Sequence, residues 1–93
     1  FVVAVPPMPY RCPPAPFERA CAIATLFAQR QVKARVVVLD PNPAMPGFLR
    51  VFANQYRDRI VYVPQARVQK IDPFAQTVST DFETFRFDDA LLM

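Results

Sequence analysis

One stretch, YRCPPAPFER at 10–19, carries the residues best suited to chemistry, a cysteine and a glutamate. Prolines separate the two, and because proline fixes φ and has no amide proton, this segment is extended and stiff. We expect Cys12 to lie just outside the N-terminus of the helix that follows, where the helix dipole stabilises a thiolate. The stretch therefore predicts nucleophilic or redox chemistry at Cys12, with Glu18 nearby in the first helical turn as a proton-transfer group.

Each of these residues also has a structural interpretation. A lone cysteine is usually structural, and Glu18 can be a favourable first-turn charge or a partner of a neighbouring arginine, so the residues alone leave both questions open. Cys21 falls in the apolar stripe of the predicted helix, which favours packing over redox work. A disulfide between Cys12 and Cys21 is conceivable, but it would have to reach back along the first turn of the helix.

The composition excludes several kinds of site. The 93 residues include eleven prolines, two cysteines, one glycine and no histidine or tryptophan. Without histidine there is no Ser-His-Asp triad, and two cysteines cannot complete a tetrahedral zinc site, so we expect no metal. The net charge is +3, but the cations are spread along the chain among acids, which favours a solvated surface over nucleic-acid binding.

The two ends predict a piece of a longer protein. The sequence starts at Phe1 inside one apolar run and stops at Met93 after another, so we expect a single domain over 1–93 within a longer chain. The longest nearly apolar run, 1–8, is too short to span a bilayer and lacks the charged flank of a signal peptide. We therefore expect no membrane span.

The apolar pattern in the first two thirds predicts parallel strands joined by helices. Buried β-branched runs at 1–5, 35–39 and 60–63 alternate with helices predicted at 17–30 and 48–56. The first helix has apolar residues at the i, i+3, i+4, i+7 spacing and two more beside them, so we expect it to be largely buried. Aromatic residues expected in the core are Tyr10, Phe17, Phe48, Phe52 and Tyr56.

The last third has a different pattern. Apolar and polar residues alternate at 67–72, 77–80 and 82–87, which predicts half-exposed antiparallel strands. After a turn at 88–90, residues 91–93 can begin a return strand into the parallel sheet. The predicted fold class is α/β, a Rossmann-like parallel sheet with flanking helices and a small antiparallel β excursion.

This order of elements is that of one half of a dinucleotide-binding fold, in which Asp40 takes the place of the ribose-binding carboxylate. Such folds carry G-x-G-x-x-G in the first loop, because glycines let the backbone approach the pyrophosphate. Here the loop at 5–18 contains no glycine. We therefore expect no nucleotide at this site and interpret Asp40 as a turn residue at the end of a strand.

The motif RCPPAPFERA at 11–20 resembles the central domain of the flavoprotein subunit of flavocytochrome c sulfide dehydrogenase, and more distantly sulfide:quinone oxidoreductase. The likeness continues through RVVVLDPNP at 35–43 and the antiparallel tail. It implies a flavoprotein with two dinucleotide-type domains, in which FAD is bound mainly by a domain absent here. The second, NAD-type domain of these proteins has lost its glycine loop, which agrees with the missing fingerprint.

The resemblance also implies a role for each motif residue. Cys12 would lie over the flavin and pair with a second cysteine from later in the chain, and sulfide would attack this redox-active pair. Glu18 would be an acid/base, Pro13 and Pro14 would shape the loop near the flavin, and Cys21 matches no motif position. Electrons would then pass through FAD to a c-type cytochrome subunit in the periplasm. The 93 residues alone would be inactive and would bind no cofactor.

Two other functions stay open from the sequence. The proline loop can be the interaction surface of a non-catalytic module in which Cys12 is incidental. The chain can also be the NADH domain of a pyridine-nucleotide-disulfide reductase. A glycine-rich FAD loop upstream and a second cysteine downstream would favour the enzyme, whereas NADH binding would favour the reductase domain.

Overall fold

The computed structural model describes residues 1–9, 14–43 and 45–92, and of Leu91 and Leu92 it describes the backbone only. The predicted α/β fold is confirmed, and most element boundaries differ from the predicted ones by only one or two residues. In chain order the described elements are β1 (Val2–Ala4), α1 (Ala15–Gln29), β2 (Val36–Leu39), α2 (Pro46–Gln55), β3 (Ile60–Val63), β4 (Val68–Asp72), β5 (Thr77–Thr80), β6 (Thr84–Arg86) and β7 (Ala90–Leu92).

Four strands form a parallel sheet in the order β3-β2-β1-β7. β1 is an inner strand, and its Val3 pairs with Val38 of β2 on one side and with Leu91 of β7 on the other. The return of the chain into this sheet, predicted at 91–93, is therefore confirmed at Ala90–Leu92. β1 consists of apolar residues throughout because both of its faces are buried.

The other three strands form an antiparallel sheet in the order β4-β5-β6. This sheet covers one face of the parallel sheet through a cluster of Val2, Leu39, Ala66 and Val78. The opposite face of the parallel sheet packs against both helices, in a cluster that includes Val3, Val36, Val38, Phe17 and Phe52. Successive residues of β1, such as Val2 and Val3, thus belong to different clusters, as the two-residue period of a strand requires.

Helix α1 begins at Ala15, between two prolines of the motif. Pro14 is its N-cap, with φ −75° and ψ −12°, and Pro16 lies in the first turn, where no amide proton is needed. Only Pro16, Phe17, Ala20 and Ala24 are buried, so the small alanines let the helix approach the sheet closely. The expectation that the helix is largely buried is wrong, because most of its residues are at least partly exposed and Leu26 is 45% exposed.

Aromatic rings fill the space between α1, α2 and the sheet. Phe17 and Phe48 stack with their centroids 5.1 Å apart, and Phe52 lies 6.3 Å from Phe17. The Tyr56 hydroxyl lies 2.9 Å from Thr25 Oγ1 and joins α1 to the end of α2. Four of the five expected core aromatics are thus confirmed in or against the core, and Tyr10 lies outside the described residues. Neither of the two described helices is long and apolar enough to cross a membrane.

Candidate functional site

The residues of the cysteine motif are only partly described. Cys12 and Pro13 lie outside the described residues, whereas Pro14 and Glu18 lie within them. The Glu18 amide donates a hydrogen bond of 3.0 Å to the Pro14 carbonyl, which closes the first turn of α1. The Glu18 side chain is exposed. The helix therefore starts at Ala15, three residues after Cys12 in the sequence, and its one first-turn carboxylate, that of Glu18, is exposed at the surface.

The structure describes Cys21 and its surroundings. It is partly buried and packs against the cluster between the helices and the parallel sheet. Burial raises the pKa of the Cys21 thiol, and the negative charge of Glu18 raises it further. Since the thiolate is the nucleophile, Cys21 is a weak one near neutral pH. Its predicted role in packing agrees with this environment.

A substitution of Glu18 tests this electrostatic link. Glu18→Gln removes the smaller of the two causes that raise the pKa of Cys21, so the thiolate fraction at pH 7.5 should increase. The rate of alkylation of Cys21 by iodoacetamide, resolved by peptide mass spectrometry, measures this fraction. Glu83→Gln in the β5–β6 turn is the matched control. An unchanged rate in Glu18→Gln would contradict the link.

Asp40 follows β2 at the carboxyl edge of the parallel sheet and is fully buried. Its Oδ2 accepts a hydrogen bond of 2.7 Å from the Tyr62 hydroxyl, and its Oδ1 accepts one of 3.0 Å from the Asn42 amide. Both carboxylate oxygens are therefore occupied by the protein's own donors. This supports the interpretation of Asp40 as a turn residue and leaves it unavailable to a ribose hydroxyl.

The ionisation of Tyr62, on β3, is influenced by Asp40 in turn. Its pKa is raised above the ordinary value near 10, first by burial and then by the hydrogen bond to Asp40 and the charge of that carboxylate. A phenol whose pKa is higher in the folded state binds more protons there than in the unfolded chain. Its contribution to stability is therefore complete below pH 10 and is lost as the pH rises above it.

Tyr62→Phe should destabilise the protein by about 1–3 kcal/mol at pH 7, because a buried oxygen of Asp40 loses its donor. The same change should reduce the loss of stability between pH 9.5 and 11.5, since the titrating phenol is gone. Urea denaturation at a series of pH values measures both effects. Tyr56→Phe is the control, because the Tyr56 hydroxyl forms its hydrogen bond with the hydroxyl of Thr25 in a partly buried position. Equal slopes for wild type and Tyr62→Phe would contradict the argument.

Asn42 extends this hydrogen-bonded group to the proline segment that follows β1. Its side-chain amide nitrogen donates a bond of 2.8 Å to the Pro6 carbonyl, and its Oδ1 accepts one of 2.7 Å from the Met8 amide. The sequence pattern predicted only a turn at 40–43 and missed Asn42 and Tyr62. The available signal was an asparagine between two prolines at a strand end, opposite a segment rich in prolines.

The carboxyl edge of the sheet offers little room for a nucleotide in the part that is described. A cleft of about 190 Å³ lies between the proline segment and β4, lined by residues that include Val5, Pro6, Pro41 and Ile71. Pockets for drug-sized ligands are usually at least about 300 Å³. Among the described residues, no three His, Cys, Asp or Glu side chains are grouped as a metal ion would require.

These features define a class of α/β domain. A parallel sheet in this order lies between two helices and an antiparallel sheet, and a proline segment stands where nucleotide binding would need glycines. Residues 1–91 match the model of a family described as the central part of the flavoprotein chain of sulfide dehydrogenase (flavocytochrome c). The chain belongs to this family, and the resemblance drawn from the cysteine motif is confirmed. The family places the chain in an oxidoreductase flavoprotein.

Proposed function

We propose that residues 1–93 form the single, Rossmann-like central domain of an FAD-dependent sulfide dehydrogenase. The observation that carries this proposal is the family match over residues 1–91. In the full-length protein, sulfide is oxidised at Cys12 and the electrons pass through FAD to a c-type cytochrome subunit. The domain alone has no activity, because FAD is bound mainly by another part of the chain.

The chemistry proposed for Cys12 is thiol–disulfide exchange. Hydrosulfide attacks one sulfur of the disulfide that Cys12 forms with a second cysteine from elsewhere in the chain. A persulfide forms on the attacked sulfur, and the other sulfur leaves as a thiolate, so the electrons and atoms balance. A second hydrosulfide then takes the outer sulfur of the persulfide as a polysulfide and leaves the two cysteines as thiols. FAD, when bound, would supply the two-electron acceptor needed to restore their disulfide.

Glu18 is the proposed acid/base of this reaction. Its carboxylate is exposed on the first turn of α1, so it can reach a partner group brought by another part of the protein. Pro14 caps the same helix, and with Pro13 it is proposed to shape the loop that faces the flavin. A helix N-terminus next to Cys12 would also stabilise the thiolate that leaves or attacks.

The partners and the location are proposed from the resemblance of the cysteine motif. The other domains of the flavoprotein bind this one, a c-type cytochrome subunit accepts the electrons, and the protein acts in the periplasm. We also propose that this domain binds no NADH. Three features support this: the glycine-free loop, the hydrogen-bonded carboxylate of Asp40 and the small cleft beside them.

Anaerobic titration of the full-length flavoprotein tests the proposal. Sulfide should bleach the visible absorbance of the bound flavin, and added cytochrome c should then be reduced. Bleaching by NADH but not by sulfide would instead identify a pyridine-nucleotide reductase. A full-length protein that contains no flavin would identify a non-catalytic module.

A further inference from the structure

Five large apolar side chains line an open groove beside helix α1, at the amino edge of the parallel sheet. The groove has a volume of about 400 Å³, and we call it the α1 groove. Its large apolar lining residues are Phe1, Ile23, Leu26, Phe27 and Val32. Leu26 is 45% exposed and Val32 is 41% exposed. Apolar side chains that are exposed together, unlike single ones, mark a surface that another segment or protein covers.

The backbone at the end of α1 fixes one wall of the groove. The Val32 amide donates to the Phe27 carbonyl at 2.9 Å, and the Gln31 amide donates to the Ala28 carbonyl at 3.2 Å. Gln31 has a left-handed φ of 55°. These are the two hydrogen bonds of a Schellman motif, which ends a helix and holds the residue two positions after the C-cap against its last turn. The exposed Val32 side chain therefore belongs to an ordered helix end.

The start of β1 forms another wall of the groove. The backbone nitrogen of Phe1 donates to the Arg35 carbonyl at 3.1 Å, and the Phe1 carbonyl accepts from the Val37 amide at 2.9 Å. The Phe1 side chain packs against the cluster on the helix side of the sheet. The residues that precede Phe1 in a longer chain therefore join this domain directly at the groove.

The handedness of the connections favours a preceding segment over a following one. Both helices pack on one face of the parallel sheet, and the chain from β3 to β7 crosses the other face as the antiparallel sheet. Right-handed crossovers produce this arrangement when the strand order is β3-β2-β1-β7. A right-handed crossover from β7 to a further strand at its free edge would also lie on the antiparallel side. Such a crossover would not reach the α1 groove.

We propose that the α1 groove holds an amphipathic helix formed by the segment directly before Phe1 in the full-length flavoprotein. This inference rests on the proposed place of the domain within a longer chain, in which the family describes it as the central part. A helix suits the groove because helices cover the faces of parallel sheets. Asp88 and Asp89 line the groove on the side of β7. The helix should therefore carry an apolar stripe toward α1 and a cation toward these carboxylates.

Photo-cross-linking of the full-length flavoprotein identifies what occupies the groove. Val32 is replaced by p-benzoylphenylalanine, and the peptides joined by irradiation are identified by mass spectrometry. The main cross-link should join position 32 to a peptide within about 20 residues before Phe1, which is enough chain for an average helix and its turn into β1. A covalent dimer, or a cross-link to the cytochrome subunit or to a segment after Met93, would overturn the proposal.

Leu26→Cys measures how well the groove is covered, without a bulky probe. Because a covered thiol reacts only when its cover opens, its rate of labelling by a maleimide in the native flavoprotein should be at least about tenfold below that of Gln29→Cys. Gln29 is the matched control, because it is exposed on the same helix and does not line the groove. The two rates should become equal in guanidinium chloride. Equal rates in the native protein would mean that the groove is open, and the proposal would be wrong.

Bleaching of the flavin by sulfide in the unmodified protein separates this inference from the proposed function. If the preceding helix covers the groove while sulfide leaves the flavin oxidised, the inference stands and the proposed function fails. If sulfide bleaches the flavin while Leu26→Cys is labelled as fast as Gln29→Cys, the proposed function stands and the inference fails.

Discussion

Cys12→Ser in the full-length flavoprotein is expected to lower the rate of sulfide-dependent flavin reduction by about a thousandfold or more. A serine hydroxyl can neither form the proposed disulfide nor carry the proposed persulfide, so the proposed covalent route is lost rather than slowed. Stopped-flow measurement of the flavin absorbance after mixing with sulfide gives the rate. The bound FAD and the thermal midpoint should change little, because the substitution conserves size.

Cys21→Ser is the matched control for this experiment. Cys21 packs against the core with a raised pKa, so its serine variant should oxidise sulfide within about twofold of wild type and lose only modest stability. Loss of sulfide oxidation in both variants would identify Cys21 as a redox partner and would contradict the packing role assigned to it.

The second large expected effect is on the stability of the folded domain. Phe17→Ala should lower the free energy of unfolding by about 3–5 kcal/mol, because it removes a large buried ring that packs against the rings of Phe48 and Phe52. Phe17 is 1% exposed, and its ring stacks on Phe48 at 5.1 Å. Since small domains are stable by only about 5–15 kcal/mol, this change removes a large share of the total. Urea denaturation followed by circular dichroism measures it.

Phe74→Ala provides the same chemical change without burial. Phe74 lies in the β4–β5 turn with 98% of its surface exposed, so its removal should alter the free energy of unfolding by no more than about 0.5 kcal/mol. Similar losses in the two variants would mean that the stacked rings of Phe17 and Phe48 do not form the core of the domain in solution.

The secondary structure could be predicted because its signals are local. A run such as RVVVL at 35–39 predicts a strand buried on both faces, and Pro16 suits the first turn of a helix. The parallel order of the strands followed from the alternation of strands with helices. The position of α1 against the sheet was also readable from Ala20 and Ala24, the small residues on its inner stripe.

The hydrogen bonds of Asn42 could not be predicted in the same way. They join residues 34 and 36 positions apart, and such pairs depend on the register of β1 against β2. The bond from Tyr62 to Asp40 likewise depends on how β3 lies beside β2. The exposure of Leu26 was missed for a related reason, since periodicity shows which residues share a face but not what covers that face.

The roles of the site residues could be predicted less fully than the fold. Cys12, Pro13, Pro14 and Glu18 were singled out from a short motif, and the family match supports that motif as a whole. The roles of the individual residues stay predictions, because a family match over a domain does not distinguish a reacting side chain from its neighbours. The variants of Cys12 and Cys21 are chosen to make that distinction.

The pairing of β1 with β7 joins the first and last strands of the parallel sheet, with Val2 opposite Ala90. During synthesis, β1 leaves the ribosome long before β7, so one side of a strongly apolar strand has unpaired amide and carbonyl groups while residues 5–89 are made. A contact of such high sequence separation also forms late in folding, because the loop must close first. The nascent protein is therefore prone to aggregation or chaperone binding at β1 until residues 90–92 emerge.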